Sequence, residues 1–222
     1  MTSNMPQAVI FDMDGVLADT EPLHGKCFIQ AFRELGIHTD LERYRQAVTL
    51  GGSPVKDYYV SLGGEESTWQ RIKQIKDALM TESTEKDGVL MPGAVDLLRL
   101  LKGASIPTAV ATSARRKSLE IVLDRFELWP YFDAFATKDD ADEEKPDPAV
   151  FLLAAERLGV DPAACVVVED SPRGVVAAHR AGMKCIAVPT PSTADGDFSL
   201  ADVVVNSLED VDLDTLHRLT TA

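Results

Sequence analysis

The sequence predicts an α/β protein: a parallel sheet with helices on both faces, interrupted after its first strand by an all-helical insertion. Three observations carry this expectation. Apolar β-branched runs without alternation, such as "AACVVVED" (163–170), belong to strands buried on both faces. These runs alternate with segments of helical periodicity, the arrangement that builds parallel strands joined by crossover helices. From about residue 20 to 88, by contrast, helical pattern continues without a convincing strand. With 222 residues, 45 % of them hydrophobic, the chain can hold a sizeable core and a small second domain.

"QAVIFD" (7–12) is the first buried-type strand. "EPLHGKCFIQAFRELG" then places Leu23, Cys27, Phe28, Ala31, Phe32 and Leu35 at helical spacing, with Gly36 as a stop. "EESTWQRIKQIKDALM" does the same with Trp69, Ile72, Ile75 and Leu79. The chain re-enters the core near "VLMPGAVDLLRLL", so the expected division is 1–19 with 89–222 as the core and 20–88 as the insertion. "SIPTAVAT" (105–112) reads as a strand, and "SARRKSLEIVLDRF" (113–126) as a helix through Leu119, Val122, Leu123 and Phe126. After "AACVVVED" comes "SPRGVVAAHRAG", with Ser171 as N-cap, Pro172 at the first helical position and Gly182 past the end. "MKCIAVP" and "ADVVVNS" supply two more strands, and "TPSTADGDFS" (190–199) reads as a loop.

Composition excludes several classes of function. A formal net charge of −14 would repel nucleic acid, which is not an expected partner. No apolar run approaches the roughly 20 residues a membrane span needs. The N-terminus lacks the basic and apolar regions of an export signal, and Cys27, Cys165 and Cys185 sit in unrelated contexts. A reducing, cytoplasmic setting is therefore expected.

Open parallel sheets bind ligands beyond the carboxyl ends of their strands. "FDMDGVLADT" brings Asp12 and Asp14 there, with Gly15 allowing a sharp turn. "ATSARR" puts Thr112 and Ser113 at a helix N-terminus, which favours an anion. "DDADEEKPDP" (139–148) presents Lys145, kept charged by its acidic surroundings; "DDADEE" is expected to be a solvated lead-in. "VVVEDSP" adds Glu169 and Asp170. Each feature alone is weak, since such residues commonly just cap helices. Together they suit phosphoryl transfer with Mg²⁺, a hard cation that prefers carboxylate oxygen. A carboxylate nucleophile at about 4 Å from a phosphate dianion meets a repulsion on the order of 8 kcal/mol at an effective dielectric near 20. A metal ion and a lysine can offset that; geometry alone cannot. The second aspartate can protonate the leaving alkoxide and then deprotonate the attacking water.

In this order "FDMDGVLADTEPLH", "ATS", "KPDPAVF" and "VVVEDSPRG" resemble the motifs of the haloacid dehalogenase-like superfamily, over nearly the whole chain. The resemblance implies a Rossmann-like core with an inserted helical cap that sets substrate specificity, as in the subgroup with β-phosphoglucomutase and sugar-phosphate phosphatases. It implies that Asp12 is the nucleophile and a metal ligand, and that Asp14 is the acid/base and gives the metal its backbone carbonyl. Thr112, Ser113 and Ala114 would hold the phosphoryl group, with Arg115 also at the substrate. Lys145 would bridge nucleophile and phosphate, and Glu169 and Asp170 would complete the Mg²⁺ shell. "VLADT" would form a flexible flap, and Glu21 and His24 would stand at the cap entrance.

The implied activity is a Mg²⁺-dependent phosphatase acting on a small phosphorylated metabolite, a sugar or polyol phosphate, through an aspartyl phosphate, with a monomer as the expected state. Dehalogenation has no use for Asp14, because a halide leaves unprotonated. A β-phosphoglucomutase-like hexose-phosphate mutase is the alternative. Against it, Leu50 and Pro54 stand where such mutases use cap cations, although Lys56 is close. Lys56, Lys73 and Lys76 are candidate cap contacts, each more simply read as a solvated helix face. A receiver-type signalling domain is the outlying reading, because it too sets acidic residues and a lysine around Mg²⁺. The helical insertion and the early position of Asp12 argue against it.

Overall fold

The structure is a computed structural model describing residues 5–51, 53–141 and 143–221; the side chains of Glu21, Thr49, Leu50 and Thr221 lie outside that description. In chain order the elements are β1 (Ala8–Phe11), β2 (Ala18–Asp19), α1 (Glu21–Glu34), α2 (Leu41–Tyr44), α3 (Val55–Ser61) and α4 (Trp69–Asp87). There follow β3 (Val89–Leu90), α5 (Ala94–Gly103), β4 (Thr108–Ala111), α6 (Arg116–Arg125), β5 (Ala134–Ala136) and α7 (Ala149–Leu158). The chain ends with β6 (Cys165–Glu169), α8 (Pro172–Arg180), β7 (Lys184–Ala187), β8 (Val203–Val204) and α9 (Leu213–Thr221). Two compact units result: one runs up to Asp19 and resumes at Val89, and the other is Thr20–Gly88.

In the first unit the strands form one parallel sheet in the order β5-β4-β1-β6-β7-β8, so β1 lies between β4 and β6. Side chains alternate across a strand, and β1 shows the result. Val9 and Phe11 join a cluster with Leu97, Leu98 and Leu101 of α5, Leu119, Val122 and Leu123 of α6, and Leu216 and Leu219 of α9. Ala8 and Ile10 join the opposite cluster with Val150, Phe151, Ala154 and Ala155 of α7 and Val175, Ala177 and Ala178 of α8. Helices α7 and α8 therefore share one face. Burying each large apolar side chain contributes about 1.5–3 kcal/mol. An exposed pair such as Arg99–Asp96, at 3.3 Å, is screened by water and adds little, so the two clusters hold the sheet.

Helix α8 starts and stops as its residues predict. Ser171 Oγ accepts the Gly174 amide at 3.1 Å, Pro172 opens the helix, and Gly182 takes φ +72° beyond its end. Other details depart from expectation. Strand β5 lies in a segment with no periodic signal, because three residues are too few to show one. β2 and β3 form an antiparallel pair, Ala18 with Leu90 and Asp19 with Val89. Val16, Leu17 and Ala18 are fully buried, so "VLADT" is anchored by packing and pairing rather than forming a loose flap.

Helix α6 begins at Arg116, later than the "SARR" reading, and its first free amide is taken by Asp139 Oδ2 at 2.9 Å. "DDADEE" is likewise more than a solvated run among its described residues. Asp139 Oδ1 also accepts from Arg115 at 3.2 Å, and Asp140 accepts from the Thr137 amide and hydroxyl and from Arg157 at 2.7 Å. Arg157 and Thr137 hold Asp140 well below the usual carboxylate range.

Among its described residues the second unit consists of helices joined by turns and irregular segments, including a π-helical stretch at Arg45–Leu50. Its core is aromatic: Phe28 stacks on Trp69 with ring centroids 6.0 Å apart, and Phe32 meets Tyr59 at 4.9 Å. Among the described residues no helix is long and apolar enough to cross a membrane.

Candidate active site

The ends of β1, β4 and β6 and the loop before α7 supply one polar cluster. Asp12 directly follows β1, its amide continuing the ladder to Val168 O at 3.0 Å. Gly15 then takes φ +80°, and a Cβ there would lie 2.4 Å from Asp170 Oδ2. Glycine suits both the left-handed backbone and the close approach of Asp170.

Lys145 reaches into this cluster and is 6 % exposed. Its Nζ donates to Asp12 Oδ1 at 2.5 Å, to Glu169 Oε1 at 2.6 Å and to the Ala111 carbonyl at 3.0 Å. The ammonium also lies 4.5 Å from the centre of the Phe151 ring. Glu169 is fixed in turn: its Oε2 accepts from the Asp170 and Ser171 amides at 3.0 Å each and from Ser171 Oγ at 2.9 Å. Gly174 makes room for this carboxylate, since a Cβ there would come within 1.8 Å of Glu169 Oε1. Engaging a metal with Oε1 would therefore require Glu169 to share or release Lys145.

The electrostatics show an excess of negative charge in the cluster. Oxygens of Asp12, Glu169 and Asp170 lie within 4.8 Å of one another, and one lysine stands against them. Burial pushes Asp12 up to about 7; Lys145 pulls it back, while Glu169 and Asp14 push it further. Burial, then Asp12 and Glu169, push Asp170 up to about 8. Burial works against the charge of Lys145, yet Asp12 and Glu169 outweigh it and hold Lys145 above the ordinary lysine range. A donor set of close carboxylate oxygens with excess negative charge fits a hard divalent cation.

A stability prediction follows from linkage. The folded chain holds protons on Asp12 and Asp170 that the unfolded chain has released, so metal-free stability falls as pH rises from about 4 to about 8. Thermal unfolding with a chelator should show a lower Tm near pH 8 than near pH 5. Mg²⁺ should raise Tm more at the higher pH, and an equal rise at both would contradict this reading of the carboxylates.

The other expected site residues are placed as follows. Asp14 is half-buried and close enough to push up both Asp12 and Asp170. Thr112 is buried after β4, and its Oγ1 accepts the Ala114 amide at 3.0 Å, so that amide is turned onto the threonine. Ser113 is exposed. Arg115 is exposed and turned toward Asp139, whose carboxylate also accepts the first amide of α6. Glu21 and His24 lie on α1 of the helical unit; the Glu21 side chain is outside the described residues, and His24 is half-buried. In the same unit Lys56 pairs with Glu66, and Lys76 lies 3.6 Å from Asp77 and over the Phe28 ring.

Sequence reasoning missed the Ala111 carbonyl, the Phe151 ring and two arginines of α8. Arg173 donates to the Lys145 carbonyl, and Arg180 donates to the Pro146 carbonyl at 3.0 Å. Their spacing of two helical turns, directly after the Glu169-Asp170 pair, was the available signal.

A family model described as "Haloacid dehalogenase-like hydrolase" matches residues 9–188. Hexitol phosphatase B of Escherichia coli (strain K12) is 34% identical over 210 residues, covering 92% of this chain and 93% of that protein. CbbY from Rhodobacter sphaeroides, solved in complex with phosphate, superposes with TM-score 0.81 at 31% identity, covering 96% of this chain and 99% of that one. A mutant of the same protein was solved with xylulose-(1,5)bisphosphate and also gives 0.81, at 30% identity and the same coverage. β-Phosphoglucomutase from Clostridium difficile gives 0.77 over 98% of both chains at 22% identity, a likeness of fold.

Proposed function

The chain belongs to the haloacid dehalogenase-like hydrolase family, and from that premise we propose that it is a Mg²⁺-dependent phosphatase of a small sugar or polyol phosphate. The observation that carries this reading is the Lys145 ammonium held between Asp12 and Glu169 beside Asp170. The names of the relatives support the substrate class, and Thr20–Gly88 is assigned as the cap that selects the substrate.

In this mechanism an Asp12 carboxylate oxygen attacks phosphorus, and the bond from phosphorus to the substrate oxygen breaks. Asp14 gives its proton to the departing alkoxide. Asp14 then takes a proton from water as that water attacks phosphorus, breaking the bond to Asp12 and releasing phosphate. Lys145 keeps a fixed positive charge beside Asp12 throughout, and Thr112 presents its hydroxyl from the end of β4. A Mg²⁺ ion would be held by Asp12 and Asp170, with Glu169 and the Asp14 carbonyl as further donors, and would supply charge that offsets the phosphate oxygens.

Measuring phosphate release from hexitol phosphates, hexose phosphates and pentulose bisphosphates tests the proposal. Release from at least one polyol or sugar phosphate, dependent on Mg²⁺, is the expected result; no release from any would contradict it. Glucose 1-phosphate with a bisphosphate activator tests the mutase alternative, which requires glucose 6-phosphate without net phosphate release. Pro54 and Leu50 favour hydrolysis, because neither offers a cation to a second phosphate.

A further inference from the structure

We infer that Arg173 and Arg180 are positioning residues that clamp the backbone carrying Lys145, so that helix α8 fixes the catalytic lysine at both ends. A lysine reaches its target through a flexible four-carbon stem, so the position of its backbone limits where its ammonium can settle. Here the backbone belongs to a loop, and that loop is bound to α8 at successive carbonyls. Arg173 Nη2 donates to Lys145 O, and Arg180 Nη1 donates to Pro146 O at 3.0 Å. The two arginines are seven residues apart, two helical turns, and so lie on one face of α8. The far end of the loop is tied down separately: Asp147 donates its amide to Glu144 O at 3.0 Å and accepts the Ala149 amide at 2.9 Å, at the start of α7.

The ammonium end refers back to the same helix. Nζ donates to Glu169, whose other oxygen is held by Ser171, the residue that caps α8. Thus α8 sets where Lys145 leaves the backbone, and its cap sets where the ammonium arrives. Arg173 and Arg180 meet the site through the backbone carbonyls of Lys145 and Pro146, so they act through Lys145. Charged donors on neutral carbonyls are among the stronger hydrogen bonds, which suits them to this task.

The test compares Arg173→Ala, Arg180→Ala and the double variant in the full chain. An amine-acetylating reagent is applied, and labelling is mapped residue by residue by mass spectrometry. Lys145 should label about tenfold faster in the double variant, with Lys117 and Lys184 unchanged. The activity half of the inference rests on the phosphatase reading: kcat/KM with p-nitrophenyl phosphate should fall about 10- to 100-fold. In a Lys145→Ala background the same substitutions should cost less than about twofold, because the residue they position is gone. Should alanine at 173 unfold the chain, Arg173→Lys, which keeps the charge and loses the planar fork, takes its place with the same readouts. Unchanged Lys145 labelling, or an equal activity loss in the Lys145→Ala background, would overturn the clamp. Absence of phosphate release by the unmodified chain would count against the phosphatase reading alone, since labelling still decides the clamp.

Discussion

Asp12→Asn releases no phosphate from p-nitrophenyl phosphate, a loss of at least about 10⁴-fold. The amide matches the carboxylate in shape but has no nucleophilic oxygen anion, so the step that forms the intermediate stops. The same substitution should raise stability. Burial and the neighbouring carboxylates disfavour the Asp12 charge, and a neutral amide removes that repulsion while Lys145 keeps Glu169. Without metal near pH 8, Asp12→Asn should therefore melt at a higher temperature than the parent chain while losing activity. This opposition of stability and function is common at active sites. Residual activity above about one per cent of the parent would mean that another group attacks phosphorus.

Lys145→Ala has the second largest effect. It removes the cation between Asp12 and Glu169 and leaves both carboxylates buried and facing each other. Losing a preorganised positive group of this kind costs about 10²–10³-fold in kcat. Breaking a buried pair by deleting one partner costs about 3–5 kcal/mol of stability, since the charge left behind is uncompensated. Glu144→Gly, one residue earlier, should do neither. Glu144 is exposed and its carboxylate pairs with Lys138, an arrangement that contributes about 0–1 kcal/mol. Steady-state kinetics and thermal unfolding of the two variants side by side check this. Comparable activity losses would place Glu144 in the site.

What could be read in the sequence was whatever is local. The β-branched run of β6, the Ser171-Pro172 start of α8 and the periodic apolar positions of α1 and α4 depend on residues a few places apart. The polar set of Asp12, Lys145, Glu169 and Asp170 was legible because strand ends of a parallel sheet share one edge. What escaped depends on distant partners. Asp139 caps a helix whose first amide is 23 residues away, so a run that reads as solvated holds the start of α6. β2 has two residues and pairs with β3 across the entire helical unit, leaving no local trace. The Ala111 carbonyl is a backbone atom that no side-chain pattern reveals. Arg173 and Arg180 were visible as residues, but their purpose lies in a loop 28 and 34 positions earlier.

The central claim is that Asp12 carries the phosphoryl group, and trapping tests it directly. Enzyme turning over a phosphate ester with Mg²⁺ is quenched and treated with borohydride, which reduces an acyl phosphate to an alcohol. The peptide containing residue 12 is then sequenced by mass spectrometry. Homoserine at position 12, absent when substrate is omitted, is the predicted result. An unmodified aspartate at position 12, recovered from enzyme that is releasing phosphate, with the alcohol at another carboxylate or at none, would contradict it.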